Sequence, residues 1–311
     1  MEPVLGVLVA SIARERDPGS SHYQPDPRLQ RLHRRQLLAH LGLLSLAVTL
    51  LAVLFVYPIG RIIYTSFLID GAFSLDHYRR IIEVDAYLRV LQTTLTIGFQ
   101  VTVICLLLGY PLAYFLASVP TRWQRILIIL VLVPFWTSFL VRTYAWMVLL
   151  QRRGVVNDWL MSLGLTSEPV QMMYNRMGVL VGMVHVMLPF MVLPLFAVMI
   201  GIDRNLIRAA QNLGASPFQA FRRVFLPLSL PGIAAGSILV FILSIGFYIT
   251  PALMGGRQDT MIAQLIEAQV RDRLNWEFAT AIATFLLIVT VIIVAVYNRI
   301  LGTERVFGED Q

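Results

Sequence analysis

Few side chains in this 311-residue chain could do chemistry, and their types and spacing exclude most of it. All 25 basic residues are arginine; there is no lysine. That removes the phosphate-binding loop GxxxxGK(S/T) and any Schiff-base or catalytic lysine. The five histidines, His22, His33, His40, His77 and His185, lack metal-ligand spacing. The single cysteine, Cys105, lies in an apolar run and can form no intramolecular disulfide. What remains are aromatic and polar groups within apolar stretches: Trp136, Arg142, Tyr144, Trp146, His185 and Tyr248. An ionisable group in such a stretch is functional by default, and an aromatic face attracts an ammonium group. This set can line a route for a solute; it cannot make or break bonds. No catalytic residue, metal ligand or cofactor is assigned to the chain.

Each of these residues also has a plainer reading. Arg142 either snorkels to the outer surface or pairs with an outer-loop acid, or it is a gate or subunit-interface residue. Aromatics at helical spacing pack or anchor at an interface, or their π-faces line the route. His185 and Gln100 fit a hydrogen bond to a neighbouring helix better than a contact with solute. Cys105 and the 12 methionines read as packing.

The elements that must position these residues are membrane helices. Hydrophobic residues make up 57% of the chain and charged ones only 14%, against about 25% in a soluble domain. A span needs roughly 20 mainly apolar residues. Six segments qualify: Leu37–Tyr57, Thr93–Ala117, Ile126–Leu150, Met177–Ile200, Gly232–Met254 and Ala279–Asn298. They hold no Asp or Glu and one arginine, Arg142. Proline at positions 134, 189, 194 and 251 interrupts spans three, four and five, so these three are expected to line the route.

Arginine placement orients the spans. The N-terminal tail (1–36), the second loop, the fourth loop and the C-terminal tail (301–311, with Arg299 just before it) fall on one side, with 14 arginines and 8 acids beyond the spans. The opposite side has 10 of each. Both termini are therefore placed in the cytoplasm. The formal net charge of +7 is a positive-inside imprint plus Arg142, not a surface for nucleic acid. The apolar stretch Val4–Ala13 is too short to span and lacks the basic start of a signal peptide. The first 27 residues read as a loosely ordered tail. Apolar periodicity in two outer loops predicts short helices over Val155–Leu163 and Met261–Val270.

The fourth loop, 201–231, is the most informative. Asp203 is positioned to cap a helix over Arg204–Leu213. Gly214 follows at the position that takes positive φ. Ser216 then caps a second helix with Pro217 at its first position, running to about Phe225 before Pro227 and Pro231 stop it. Phe218, Phe221 and Phe225 recur at helical spacing, with Arg222 and Arg223 beside them. The three rings either pack on the chain's own spans or present a helix to an apolar groove on a soluble partner.

The segment from Arg208 to Pro227 resembles the EAA motif, E-A-A-x3-G-x9-I-x-L-P, of binding-protein-dependent ABC importer permeases. Ala209, Ala210, Gly214, Leu226 and Pro227 fall on its positions; Val224 replaces the isoleucine, and Arg208 stands where the motif has glutamate. Within that superfamily the chain is similar to the spermidine/putrescine permeases of the PotB type. The stretch Pro134–Trp146, then Gly154-Val-Val-Asn157, then Thr250–Gly256 and Thr260–Ile266 carry this resemblance, which spans roughly residues 37–300. It adds Thr250 to the route and gate candidates.

The resemblance implies an all-α, six-span permease of the type I importer (MetI-like) fold. Its partners would be a second, PotC-type permease, two ABC ATPases and a periplasmic binding protein. ATP and magnesium would sit on the ATPases, which fits the missing lysine. The fourth loop would couple to them through Arg208, Ala209, Ala210, Gly214, Ser216, Pro217, Phe218, Phe221, Arg222 and Pro227. The same machine could carry another solute: an amino-acid derivative, an opine, ferric ion or a sulfur oxyanion. A self-contained secondary transporter predicts paired acids within the spans, and the six segments have none.

Overall fold

A computed structural model describes residues 44, 45 and 48–301, the last two by backbone alone. The N-terminal tail, the start of the first span and the C-terminal tail lie outside the described residues. The described residues up to Arg61 belong to one unit and those from Ile62 to a second. Helix α1 (Val48–Thr65) passes through a π-helical turn at Ala52–Val56.

The second unit is almost entirely helical. A two-residue hairpin, β1 (Leu68–Ile69) with β2 (Ala72–Phe73), precedes α2 (Asp76–Glu83) and the long α3 (Asp85–Ser118). Then come α4 (Thr121–Leu132), α5 (Phe139–Leu150), α6 (Val155–Ser162) and α7 (Arg176–Gly201). The fourth loop holds α8 (Arg204–Asn212); α9 (Pro217–Ile245), α10 (Ile249–Met254), α11 (Ile262–Arg271) and α12 (Trp276–Leu301) complete the described residues. Among the described residues, five helices are long and apolar enough to cross a membrane. The bent pair Thr121–Trp136 and Phe139–Ser162 makes a sixth span if counted as one.

Helices α3, α7 and α9 form the core, around Ile97, Val101, Met183, Leu195 and Val240. Lipid gives little hydrophobic push between spans, so close packing against small residues must hold them. Met191 of α7 shows how. It is fully buried in a notch between Gly109 of α3 and Gly236 of α9. A Cβ would stand 3.0 Å from its Cγ on the first side and 2.8 Å from its Sδ on the second. Polar ties add to this: Tyr110 and Ser229 share a hydrogen bond of 2.9 Å between α3 and α9, and the Tyr297 hydroxyl donates to the Ala234 carbonyl at 2.9 Å.

Several expected boundaries shift. The third span is not one straight helix. A 3-10 turn at Val133–Trp136 and an extended Thr137 separate α4 from α5, and the pair bends by 95°. Pro134 fits that break, because it cannot continue the ladder. Pro189 and Pro194 break nothing; α7 runs through both. Span five is interrupted before Pro251, at Gly246–Tyr248, so Ile249–Met254 is a separate short helix.

The largest correction concerns the fourth loop's second helix, which Pro227 and Pro231 do not stop. It continues as α9 to Ile245. Residues Phe221–Phe225 adopt a π-turn, in which Leu226 N–H reaches back five residues to the Phe221 carbonyl. The wider turn makes room for a proline ring that would press on an α-helical carbonyl four residues back. The fourth loop and the fifth span therefore share one continuous helix. The two outer-loop helices lie where periodicity puts them, at Val155–Ser162 and Ile262–Arg271. Helix α2 and the hairpin had no strong signal in the sequence.

Candidate functional site

Two places gather the residues singled out by sequence. The first is the fourth loop. The Asp203 side chain accepts from Asn205 N–H at 2.9 Å, opening α8. Gly214 takes φ of +90°. Its N–H donates to the Gln211 carbonyl at 2.9 Å, and Ala215 N–H to the Ala210 carbonyl at 3.1 Å. These are the two bonds of a Schellman stop. Ser216 and Gln219 then form a capping box at 3.3 and 2.9 Å, with Pro217 in the first turn. The loop is a helix, a left-handed glycine and a second helix.

The three phenylalanines divide. Phe225 is buried and Phe221 half-buried, edge-on to Tyr114 at 5.0 and 5.8 Å between centroids; Phe221 also meets Tyr110 at 6.2 Å. They lock the loop onto the end of α3. Phe218 is 70% exposed, and Leu213 before the glycine is 89% exposed. Ala210 is half-buried, whereas Arg208, Ala209, Gly214, Ser216, Pro217, Arg222 and Pro227 face outward. Arg208 has no hydrogen bond or ion pair among the described residues. Arg204 braces the loop by donating to the Ala117 carbonyl near the end of α3.

The second place is a polar cluster where α5, α7 and α10 meet. Trp146 Nε1 donates to His185 Nδ1 at 2.8 Å. The Thr143 and Thr250 hydroxyls, both buried, lie 3.4 Å apart. Arg142 is buried on the inner side of α5. Its Nη2 donates to the Thr137 carbonyl at 3.2 Å, and its Cζ lies 4.7 Å from the Phe139 centroid. No described acid pairs with it, and Nε has no partner. The arginine thus bridges the break in span three, satisfying a carbonyl that the lost helix turn set free. Trp136, Tyr144 and Tyr248 stand apart from the cluster, exposed by 75%, 54% and 38%. Tyr144 also lines an outer cavity of about 680 Å³ with Met147, Gln151, Arg152, Gln171 and Tyr174; no carboxylate lines it.

Sequence reading missed several residues that organise these places. Leu213 is the most exposed large apolar side chain of the loop; its position before a C′ glycine was the available signal. Tyr110 and Tyr114 are one helical turn apart on α3, the spacing that meets a ring pair. Asp259 is buried and pairs with Arg176 at 3.0 Å, tying the fifth outer loop to the start of α7. Asn157, within the motif Gly154–Asn157, is fully buried: Nδ2 donates to the Gln151 and Val170 carbonyls, and Oδ1 accepts from Val170 N–H.

Apolar spans around a tightly packed helical core, with a helix–glycine–helix loop before the fifth, define a polytopic membrane permease. A family model described as a binding-protein-dependent transport system inner membrane component matches residues 106–304. The chain belongs to that family: it is an inner-membrane permease component of a binding-protein-dependent ABC transport system. Its relatives include the spermidine/putrescine transport system permease protein PotB of Escherichia coli (strain K12), 38% identical over 79% of this chain and 92% of that protein. The protein of the same name from Haemophilus influenzae is 35% identical over 68% of this chain and 74% of that one. A solved bacterial ABC transporter involved in import of the acidic polysaccharide alginate shares the fold. The TM-score is 0.67 with 21% identity, over 89% of this chain and 99% of that one.

Proposed function

We propose that this permease forms half of the translocation path for polyamines such as spermidine and putrescine, driven by ATP hydrolysis on partner subunits. The observation that carries the substrate reading is the similarity, over most of the chain, to permeases named for those cations. A second, PotC-type permease completes the path, two ABC ATPases bind ATP and magnesium, and a periplasmic protein delivers the solute. The absence of lysine supports placing the phosphate-binding loop on another chain. The fourth loop is the element that engages the ATPase. Its exposed Leu213 and Phe218 offer the apolar anchors of a docking helix. Because α9 runs continuously from that loop into the fifth span, a displacement of the loop is carried to the membrane along one helix.

A polycation meets no carboxylate in the six apolar segments of this subunit; Asp85 and Glu277 stand only in the first turns of α3 and α12. Exposed faces of Trp136, Tyr144 and Tyr248 supply cation–π surface instead, about 0.5–2 kcal/mol per contact. Arg142 repels such a solute, so its place is at a gate rather than in a binding site.

The test is a thermal-shift screen of the cognate periplasmic protein. Spermidine or putrescine at about 100 times Kd should stabilise it by roughly 2.7 kcal/mol, a shift of several degrees. If neither cation shifts it while another solute does, the polyamine reading fails and the importer assignment stands.

A further inference from the structure

The ends of α3, α7 and α8 enclose a cleft of about 260 Å³ at the base of the fourth loop. Ile202, Ile207 and Phe225 give it an apolar lining, while Tyr114, Ser118, Arg204 and Arg208 supply its polar groups. That volume is roughly the share of eight or nine liquid waters, at about 30 Å³ each. It has room for a long side chain entering from its open side.

The charges around the cleft are unbalanced. The loop carries Arg204, Arg208, Arg222 and Arg223 against one acid, Asp203. Asp203 is occupied in capping α8, and Arg204 in holding Ala117. Arg208 alone among the cleft's charged groups is left without a partner among the described residues. A guanidinium presents a planar fork that fits a carboxylate with two parallel bonds. The apolar lining suits the methylene stem of the residue that carries it.

Resting on the reading of the fourth loop as the ATPase contact, we infer that an acidic side chain of the partner ATPase enters this cleft and pairs with Arg208. The contact is then two-way. Leu213 and Phe218 project outward into the ATPase, and one ATPase carboxylate projects back. A protein is favoured over a lipid phosphate because Leu206, Leu213 and Phe218 on the same loop stand 48%, 89% and 70% exposed and need covering by apolar surface. Where the motif of the family has glutamate, this chain has the opposite charge. The partner's groove is accordingly acidic at this point, and the ATPase of a permease with the usual glutamate should fit poorly.

The test uses the complete transporter in nanodiscs and measures ATPase retention. Arg208→Glu should weaken retention at least about ten-fold, the low end for losing a close interface charge pair. Reversal of one ATPase Glu or Asp to Arg should restore it. Retention by Arg208→Glu at the unsubstituted level, or rescue by no single reversal, would overturn the inference. So would a loss that follows the removal of anionic lipid, which would mark the cleft as a phosphate seat. Phe218→Ala separates the two readings. If it also leaves the ATPase bound, the loop is not the contact. If it releases the ATPase while Arg208→Glu does not, only the pairing falls.

Discussion

Gly214→Pro should reduce ATP-driven transport by at least about ten-fold while the chain still inserts in the membrane at normal level. Gly214 has φ of +90°, and proline is locked near −65°. The substitution also removes the N–H that donates to the Gln211 carbonyl and displaces the Ala215 N–H from Ala210. Both bonds of the stop are lost, so α8 and α9 can no longer meet at their present angle. The core of α3, α7 and α9 does not depend on that angle, because it is built on contacts such as Met191 between Gly109 and Gly236, away from the loop. Gly214→Ala should be milder, since alanine tolerates the left-handed conformation at about 1–2 kcal/mol. Uptake and ATP hydrolysis measured together give the readout: hydrolysis should persist without uptake, or fall with loss of the ATPase. Normal uptake by the proline variant would remove the loop from the mechanism.

The second large effect is on stability. Asn157→Leu keeps the side chain's size and deletes three hydrogen bonds. Both backbone groups of Val170 would be left unpaired beside a fully buried site, and the Gln151 carbonyl would keep only its bond from Gly154 N–H at 2.8 Å. Each such loss costs about 1–3 kcal/mol, so several kcal/mol in all. A drop of about 10 °C in the melting temperature of the purified complex, or a comparable loss of folded yield, is expected. The effect should be structural, because Asn157 holds the elbow between α5 and the loop to α7 and does not line the outer cavity beside Tyr144. An unchanged melting temperature would mean that the elbow is held elsewhere.

How far the sequence could be read depended on whether the signal was local. Apolar length and the near-absence of charge were enough for the spans, because lipid imposes that composition on each one separately. Caps were equally legible: Asp203, Gly214, Ser216 and Pro217 each do what their residue type does at a helix end. The continuation of α9 past Pro227 was not legible, because the π-turn that admits the ring is a property of the whole turn and of the tyrosines packed on it. Nor was the bend in span three, where one proline breaks a helix that two prolines leave intact in α7. Proline states that a bond is missing; packing decides whether the helix ends there. Arg142 stood out as a lone charge, but its bond to Thr137 exists only because of that bend. Pairings such as Arg176 with Asp259 join residues 83 positions apart and leave no trace in local pattern.

The most direct test of a permease driven through its fourth loop is reconstitution. The chain is purified with whatever subunits accompany it, placed in proteoliposomes with its periplasmic protein, and assayed for spermidine uptake with and without ATP inside the assay compartment that faces the loop. A P-loop ATPase should copurify, and uptake should require both ATP and the periplasmic protein. A chain that purifies alone and carries solute without ATP would contradict the account.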